Sequence, residues 1–282
     1  MKNILILTDF SDNAYNAFYY AAQLFRDIEC RMYLLNVFSE STPLISPNRI
    51  KGMSRNLLVQ LEEEAREGLD KDFHRINLDA PNKKHLRKTI FRKGELPEIV
   101  HEIVADRDID LIVMGNTGKT AAIPVFMGSN VINVVRNMPK CPVLAVPREK
   151  ECEVPFEIAF ATDYNHNYDA QVMEPLAFMA QICNAAIRII HINEEGRLST
   201  SQKSNLNTLR EYLRDHQHTI HWMPDFSSKT EVINTFLKEL GIGMISMIYY
   251  RHGFLGKLMR ERVIKRMSFE VEVPFLIIPQ TD

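Results

Sequence analysis

Glycines and hydroxyl side chains in the first half of the chain follow a pattern that suits phosphate binding. Met114-Gly115-Asn116-Thr117-Gly118 follows an apolar run, and nine residues later Gly128-Ser129-Asn130 opens a segment of helical character. Glycine lets backbone amides approach phosphate oxygens and adopt positive φ. A serine can cap a helix, and the free amides and dipole of a helix N-terminus favour anions. The pattern predicts an anion site that includes Gly115, Gly118, Gly128 and Ser129.

Two further residues are expected near this site. Asp9 follows the first apolar run, and Val37 ends the second. In an open parallel sheet, ligands bind outside the carboxyl ends of the strands where the strand order reverses. There the Asp9 carboxylate could accept hydrogen bonds from an adenine edge or a ribose, and Val37 could offer backbone groups to a base. Many turns use glycine for structure alone. The position of these glycines after a strand, on the same side of the sheet as Asp9 and Val37, is therefore what indicates a ligand.

The elements that must position these residues alternate between strand and helix, which predicts parallel sheets covered by helices on both faces. Expected strands in the first half are Ile4–Leu7, Met32–Val37, Thr89–Arg92, Leu111–Met114 and Val143–Val146, with helices near 13–26, 51–73, 97–106 and 129–136. In the second half the expected strands are Ile158–Ala161, Ile187–Ile192, Ile220–Trp222, Met244–Ile248 and Phe275–Ile278.

The second half repeats the plan of the first. Thr8-Asp9 recurs 154 residues later as Thr162-Asp163, and the ending Pro142–Pro147 recurs 132 residues later as Pro274–Pro279. The second copy is thus shorter by 22 residues, a loss assigned to the segment after the second strand, which in the first copy includes Ser39–Asn48. We expect two domains, 1–148 and 155–282, each an open five-stranded parallel sheet of order 3-2-1-4-5.

The fifth strand of each copy would lie at a sheet edge although it is strongly apolar. An exposed apolar edge invites pairing. We therefore expect Val143–Val146 and Phe275–Ile278 to pack or pair with each other across a pseudo-twofold axis.

The composition of the chain disfavours some classes of binding partner. The 34 basic and 36 acidic residues leave a formal charge of −2, which gives no global field for nucleic acid or an anionic membrane. The N-terminal apolar run, about five residues long, is too short for a signal peptide or a membrane span, which favours a cytoplasmic protein. Four scattered cysteines without CxxC spacing predict buried, reduced thiols rather than disulfides or a zinc site.

Asp9, Val37, the glycine pattern and the ending Cys-Pro-Val-Leu-Ala-Val-Pro together resemble the ATP-binding branch of the universal stress protein family. The resemblance covers essentially the whole chain and looks like the tandem, two-domain form. It implies a Rossmann-like fold of the adenine nucleotide alpha hydrolase type, ATP with or without magnesium, a stress-related regulatory role, and an intramolecular pseudo-dimer, with a homodimer left open. The residues implied at the nucleotide are Asp9, Val37, Met114, Gly115, Gly118, Gly128, Ser129 and Asn130.

The sequence departs from the family pattern in places. In the first half no proline precedes Thr8, and Asn36 stands where many members have histidine. In the second half, an offset of 132 puts Met247, Tyr250, Arg260 and Glu261 at the equivalents of the four glycine and serine positions. The phosphate site is expected to be lost there, with Tyr249 and Tyr250 filling its space. The second domain is not expected to bind ATP, and the cationic group Arg251, Lys257 and Arg260 is expected to be mainly solvated.

Two other functions stay open. Slow ATP hydrolysis would need a metal ligand and charge stabilisation, yet the chain has no GxxxxGK[ST] motif and only Lys119 beside the glycines. A ligand-free scaffold would keep the glycines as turns. We assign no catalytic residue and no metal ligand: metal binding by His216, His218 and His221 is disfavoured, and the basic run 82–88 is expected to protect an edge strand.

Overall fold

The computed structural model describes residues 1–38, 55–116, 127–137, 140–148, 153–224, 229–250 and 272–280. These contain ten strands and seven α-helices. The strands are β1 (Lys2–Leu7), β2 (Cys30–Phe38), β3 (His85–Lys93), β4 (Leu111–Gly115), β5 (Val143–Val146), β6 (Glu157–Ala161), β7 (Ala186–Ile192), β8 (His218–Met223), β9 (Met244–Tyr249) and β10 (Phe275–Pro279). The helices are α1 (Asp12–Leu24), α2 (Arg55–Asp79), α3 (Leu96–Asp106), α4 (Ser129–Asn137), α5 (Ala170–Cys183), α6 (Thr200–Tyr212) and α7 (Lys229–Glu239).

The strands form one ten-stranded sheet in the order β3-β2-β1-β4-β5-β10-β9-β6-β7-β8. Within each half the order is 3-2-1-4-5 and every pairing is parallel, as predicted. The two expected sheets are joined because β5 and β10 pair antiparallel, with Leu144 opposite Leu276. The predicted pairing of the two fifth strands is therefore confirmed, and the apolar edges cover each other.

The core lies on both faces of this sheet. Alternate residues of β1 point to opposite faces, and Ile4, Leu5 and Ile6 are all fully buried. Ile4 and Ile6 belong to a cluster that continues through Leu144 and Leu276 into the second half. Leu5 belongs to a cluster on the other face that also crosses into the second half. Both core layers thus run through the β5–β10 junction.

The second copy is shorter between its second and third strands, as the elements there show. In the first half, the 25-residue helix α2 connects β2 to β3, whereas the 13-residue α6 makes the same connection in the second half. The helix itself and the segment before it both contribute to the loss. By contrast, the loop after the first strand is longer in the second half, because α5 begins only at Ala170 whereas β6 ends at Ala161.

Strand pairing also corrects the residue-by-residue alignment of the two halves. Ile6 is opposite Val113 on β4, and its counterpart Phe160 is opposite Ser246 on β9. Val113 therefore corresponds to Ser246, an offset one residue larger than the one expected from the last strands. The counterpart of Gly115 is Ile248, so the expected equivalence with Met247 is wrong.

Three cysteines, Cys30, Cys141 and Cys183, are buried free thiols, as expected; Cys152 lies outside the described residues. Burial raises the pKa of each thiol, that of Cys141 to about 12. These thiols therefore stay protonated. Across the described ranges no helix combines the length and apolar character needed to cross a membrane.

Candidate functional site

The candidate site lies at the edge of the sheet where β1, β2 and β4 end. Leu7 is paired with Leu35, and Ile6 with Val113, so the chain leaves these three neighbouring strands side by side. Asp9, Val37 and Gly115 are consequently brought to one edge, as the sequence predicts for parallel strands.

A tight turn after β1 fixes the Asp9 carboxylate. Its Oδ1 accepts hydrogen bonds from the Ser11 backbone amide at 3.1 Å and from the Ser11 hydroxyl. Ser11 in turn caps α1, because its Oγ accepts from the Ala14 amide at 3.1 Å. Phe10 between them has a φ of 60°, in the left-handed region that non-glycine residues seldom adopt. Helix α2 supports this conformation: a Cβ on Gly68 would lie 2.8 Å from the Phe10 ring.

Thr8 ties the turn to β2 and α2. Its carbonyl accepts from Asn36 Nδ2 at 2.9 Å, and its hydroxyl accepts from the Phe10 amide at 3.0 Å. The same hydroxyl donates to Asp72 Oδ2 on α2 at 3.3 Å. Asn36, which the sequence shows only as a departure from the family pattern, therefore has a defined role in holding the end of β1.

Gly115 is needed first for packing. A Cβ at this position would lie 2.5 Å from Nδ2 of Asn13, a buried residue of α1. The structure thus gives a reason for this glycine that is different from the expected approach of the backbone to phosphate. Met114 is 5% exposed and its side chain belongs to the core, so only its backbone is available at the edge.

The start of α4 supplies free backbone amides near the same edge. The Gly128 amide donates to the Asn116 carbonyl at 2.8 Å, and the Gly128 carbonyl accepts from the Ile132 amide at 3.1 Å. Gly128 is therefore the capping residue, and Ser129 is the first helical residue; the expected capping role of Ser129 is wrong. Ser129 and Asn130 are exposed in the first turn, where amides have no intrahelical partner. Gly118 and Lys119 lie outside the described residues.

The second half repeats the turn after its first strand. Tyr164 has a φ of 56°, and its amide approaches the Thr162 hydroxyl at 3.4 Å, as Phe10 approaches Thr8. The Asn165 amide donates to Asp163 Oδ1 at 3.0 Å. His191 Nδ1 bonds the Thr162 carbonyl at 2.9 Å, so a histidine here takes the place that Asn36 has in the first half. The strand register identifies this correspondence, which is not visible in the sequence because the two residues follow motifs of different spacing.

The second half differs at the place where phosphates are expected in the first. Ile248 has a side chain where Gly115 has none, and Tyr250 stacks on His166 with ring centroids 3.4 Å apart. His166 lies in the loop that is longer in this half. Burial raises the pKa of Tyr250 above its ordinary value. This stacked pair supports the expectation that the second half lacks a phosphate site. Arg251, Lys257, Arg260 and Glu261 lie outside the described residues.

The histidines near β8 make local contacts. His218 Nδ1 bonds the His216 carbonyl at 2.9 Å, and His221 bonds the Thr219 hydroxyl at 2.9 Å. Within the described ranges, no group of three or more His, Cys, Asp or Glu side chains could hold a metal ion.

The basic run before and within β3 is only partly an edge feature. Lys84, just before the edge strand, and Lys88 on it are exposed, as expected. Arg87 is buried, however, and donates to Asn77 Oδ1 and to the Ala80 carbonyl, each at 2.6 Å. Arg87 therefore fastens the end of α2 to β3, and the expectation that the run protects the edge strand is wrong for this residue.

Comparison with known proteins agrees with this architecture. The model of the universal stress protein family matches residues 1–147. A universal stress protein of Methanocaldococcus jannaschii is 30% identical over 150 residues, which are 53% of this chain and 84% of that protein. The crystal structure of a universal stress protein from Archaeoglobus fulgidus has the same fold over 98% of both chains, with a TM-score of 0.68 at 17% identity. Because the family model matches its first half, this chain belongs to the universal stress protein family.

Proposed function

We propose that the first half binds ATP at the edge formed by β1, β2 and β4, and that nucleotide occupancy biases the conformation of the two halves or of a partner. The observation that carries the proposal is the convergence of the Asp9 turn, the end of β2 and the start of α4 on one edge of the sheet. Membership of the family supports it.

The residues present fit such a ligand. The Asp9 carboxylate is half-buried, and hydrogen bonds from Ser11 to its Oδ1 orient it. Carboxylate oxygens accept hydrogen bonds, which suits ribose hydroxyls or a base edge. The first-turn amides of α4, with the exposed Ser129 hydroxyl, are suited to phosphate oxygens. Val37 is half-buried on β2 and offers an apolar contact for a base.

Binding is proposed as the function, and slow hydrolysis is the alternative. Phosphoryl transfer needs a positioned nucleophile, a metal ligand and cationic stabilisation of the transferred group. The described residues of the site supply an oriented carboxylate and helix N-terminal amides, which suit the holding of a nucleotide and favour a nucleotide-controlled binder. Hydrolysis that Lys119→Ala or Asp9→Ala abolishes would establish the alternative.

Titration calorimetry with magnesium and ATP tests the proposal. We expect micromolar binding at one site per chain, and its loss in the Gly118→Val/Gly128→Val variant, because the added side chains would occupy the space of the phosphates. The matched control is Gly196→Val, since nothing lies within 4 Å of a Cβ at Gly196. No heat of binding in the folded parent protein would refute the proposal and favour the ligand-free scaffold.

A further inference from the structure

A cavity of about 70 Å³ lies in the second half, at the carboxyl ends of β6, β7 and β9. Its walls are mainly apolar, and polar groups lie at its rim. Helix α7 covers one side through Ile233 and Lys229. The remaining lining residues are Ala161, Thr162, Asp163, Ile190, His191, Ile192, Met247, Ile248 and Tyr250.

His191 gives this cavity a hydrogen-bond acceptor. A carbonyl oxygen can only accept, so His191 Nδ1 must donate its proton to the Thr162 carbonyl. The neutral ring then carries a lone pair on Nε2, for which the described part of the chain provides no partner. Stacking on Tyr164 at 4.5 Å and an edge contact with Trp222 at 5.4 Å hold the ring in this orientation.

Asp163 and Tyr250 add polar groups to the same rim. Asp163 Oδ1 accepts from Asn165, as Asp9 Oδ1 accepts from Ser11, so its carboxylate is oriented by a turn of the same design. The Tyr250 hydroxyl is buried without a hydrogen-bond partner in the described residues. Unpaired buried hydroxyls are costly in free energy, and a ligand that pairs with one regains that cost. The rim is therefore suited to a molecule that brings hydrogen-bond donors for His191 and Asp163 and an acceptor for the Tyr250 hydroxyl.

The residues around the cavity disfavour the phosphates of a nucleotide. A cavity of about 150 Å³ holds benzene, so this smaller one accepts only the edge of a ring, with the rest of the molecule in its open mouth. Ile248 and the Tyr250–His166 stack stand on the side where phosphates would lie.

We propose that this cavity binds a neutral, flat heterocycle with hydrogen-bond donors, of the nucleobase or nucleoside class, and not its phosphorylated forms. The choice of class rests in part on the proposed function, because the strand register places Asp163 and Ile192 where Asp9 and Val37 lie in the first half. The acceptors and apolar walls of the second cavity support the proposal independently.

The fluorescence of Trp222 can report binding at this cavity. It is the only tryptophan of the chain and contacts His191, whereas the candidate ATP site is in the other half. Adenosine is titrated into the full-length chain, with and without saturating ATP, and Trp222 fluorescence is followed. We expect a saturable change that ATP neither produces nor prevents.

Two variants test the assignment to the cavity. His191→Phe keeps an aromatic ring but removes the acceptor, and Ala161→Leu fills the cavity while His191 is retained. Each is expected to raise the midpoint of the adenosine titration by about tenfold or more, whereas Gly196→Ala should leave it unchanged. Far-UV circular dichroism checks that each variant folds. If His191→Phe does not fold, the midpoint measured with Ala161→Leu tests the assignment.

The outcomes separate this proposal from the ATP site. No fluorescence change with millimolar adenosine, or equal midpoints in the parent and in Ala161→Leu, overturns the proposal for the second half. An adenosine response without any ATP binding by calorimetry supports it and refutes only the proposed function of the first half.

Discussion

Replacing Gly115 with alanine tests whether this glycine serves packing or phosphate contact. The added Cβ would lie 2.5 Å from Asn13 Nδ2 and 3.3 Å from the backbone carbonyl carbon of Asn13. Asn13 is only 3% exposed, so its amide cannot swing into solvent and must retreat by about 1 Å within the core. Overpacking of this kind costs about 1–3 kcal/mol. We expect Gly115→Ala to lower the free energy of unfolding by about 2 kcal/mol.

Urea unfolding followed by far-UV circular dichroism measures this loss. Gly196→Ala is the matched control, because its new Cβ would meet no atom within 4 Å, and it should stay within about 0.5 kcal/mol of the parent. Removing the clash with Asn13→Ala should make the double variant more stable than the sum of the single effects, by about 1 kcal/mol. A packing role for Gly115 is refuted if Gly115→Ala is as stable as Gly196→Ala, or if the effects of Gly115→Ala and Asn13→Ala are simply additive.

Three further outcomes are expected. Asn36→Ala removes the donor to the Thr8 carbonyl and should cost about 1–3 kcal/mol in urea unfolding, whereas Asn36→His should restore most of it, since His191 makes this bond in the second half. Burial lowers the pKa of His191 below its ordinary 6.5. As the pH drops through about 6.5, the imidazole therefore takes up a proton in the unfolded chain before it does so in the folded one, and the free energy of unfolding falls. His191→Gln should make that fall shallower in unfolding measured from pH 7 to pH 5; an unchanged slope would contradict the assignment. Leu276→Ala should lower the free energy of unfolding by about 2–5 kcal/mol. The unfolding transitions seen by Trp222 fluorescence and by circular dichroism should shift together, because Leu276 packs into a core shared by both halves. A shift in only one of the two signals would show that the halves unfold independently.

The sequence predicts the fold well because its signals are local. Apolar runs bounded by polar turns define the strands, and the repeated motif defines the halves. The apolar character of the fifth strands was sufficient to predict their pairing, since an exposed edge of that kind is unfavourable. The C-terminal end of α2 was predicted too early, near residue 73 rather than Asp79. The last turn is held by the contacts of Arg87 with Asn77 and Ala80, which the local sequence does not show.

The site was predicted less completely because its details depend on contacts between distant residues. Asp9 and Gly115 are found together at the edge, but the contact of Gly115 with Asn13 depends on how α1 crosses β4. The correspondence of Asn36 and His191 follows only from strand register, since the loops of the two copies have different lengths. Buried polar groups such as Arg87 are equally hidden in the sequence, where a basic run gives no sign of which member faces inward.

The antiparallel junction of β5 and β10 determines how far apart the two candidate sites lie. Because the junction reverses strand direction, the carboxyl ends of the two halves open on opposite edges of the sheet. Five strand spacings separate β1 from β6, or about 24 Å sideways, and the length of a strand adds about 17 Å in the perpendicular direction. The two sites are therefore about 30 Å apart on a diagonal. A partner that approaches one edge can sense only one ligand directly, and information about the other must pass through the shared strands.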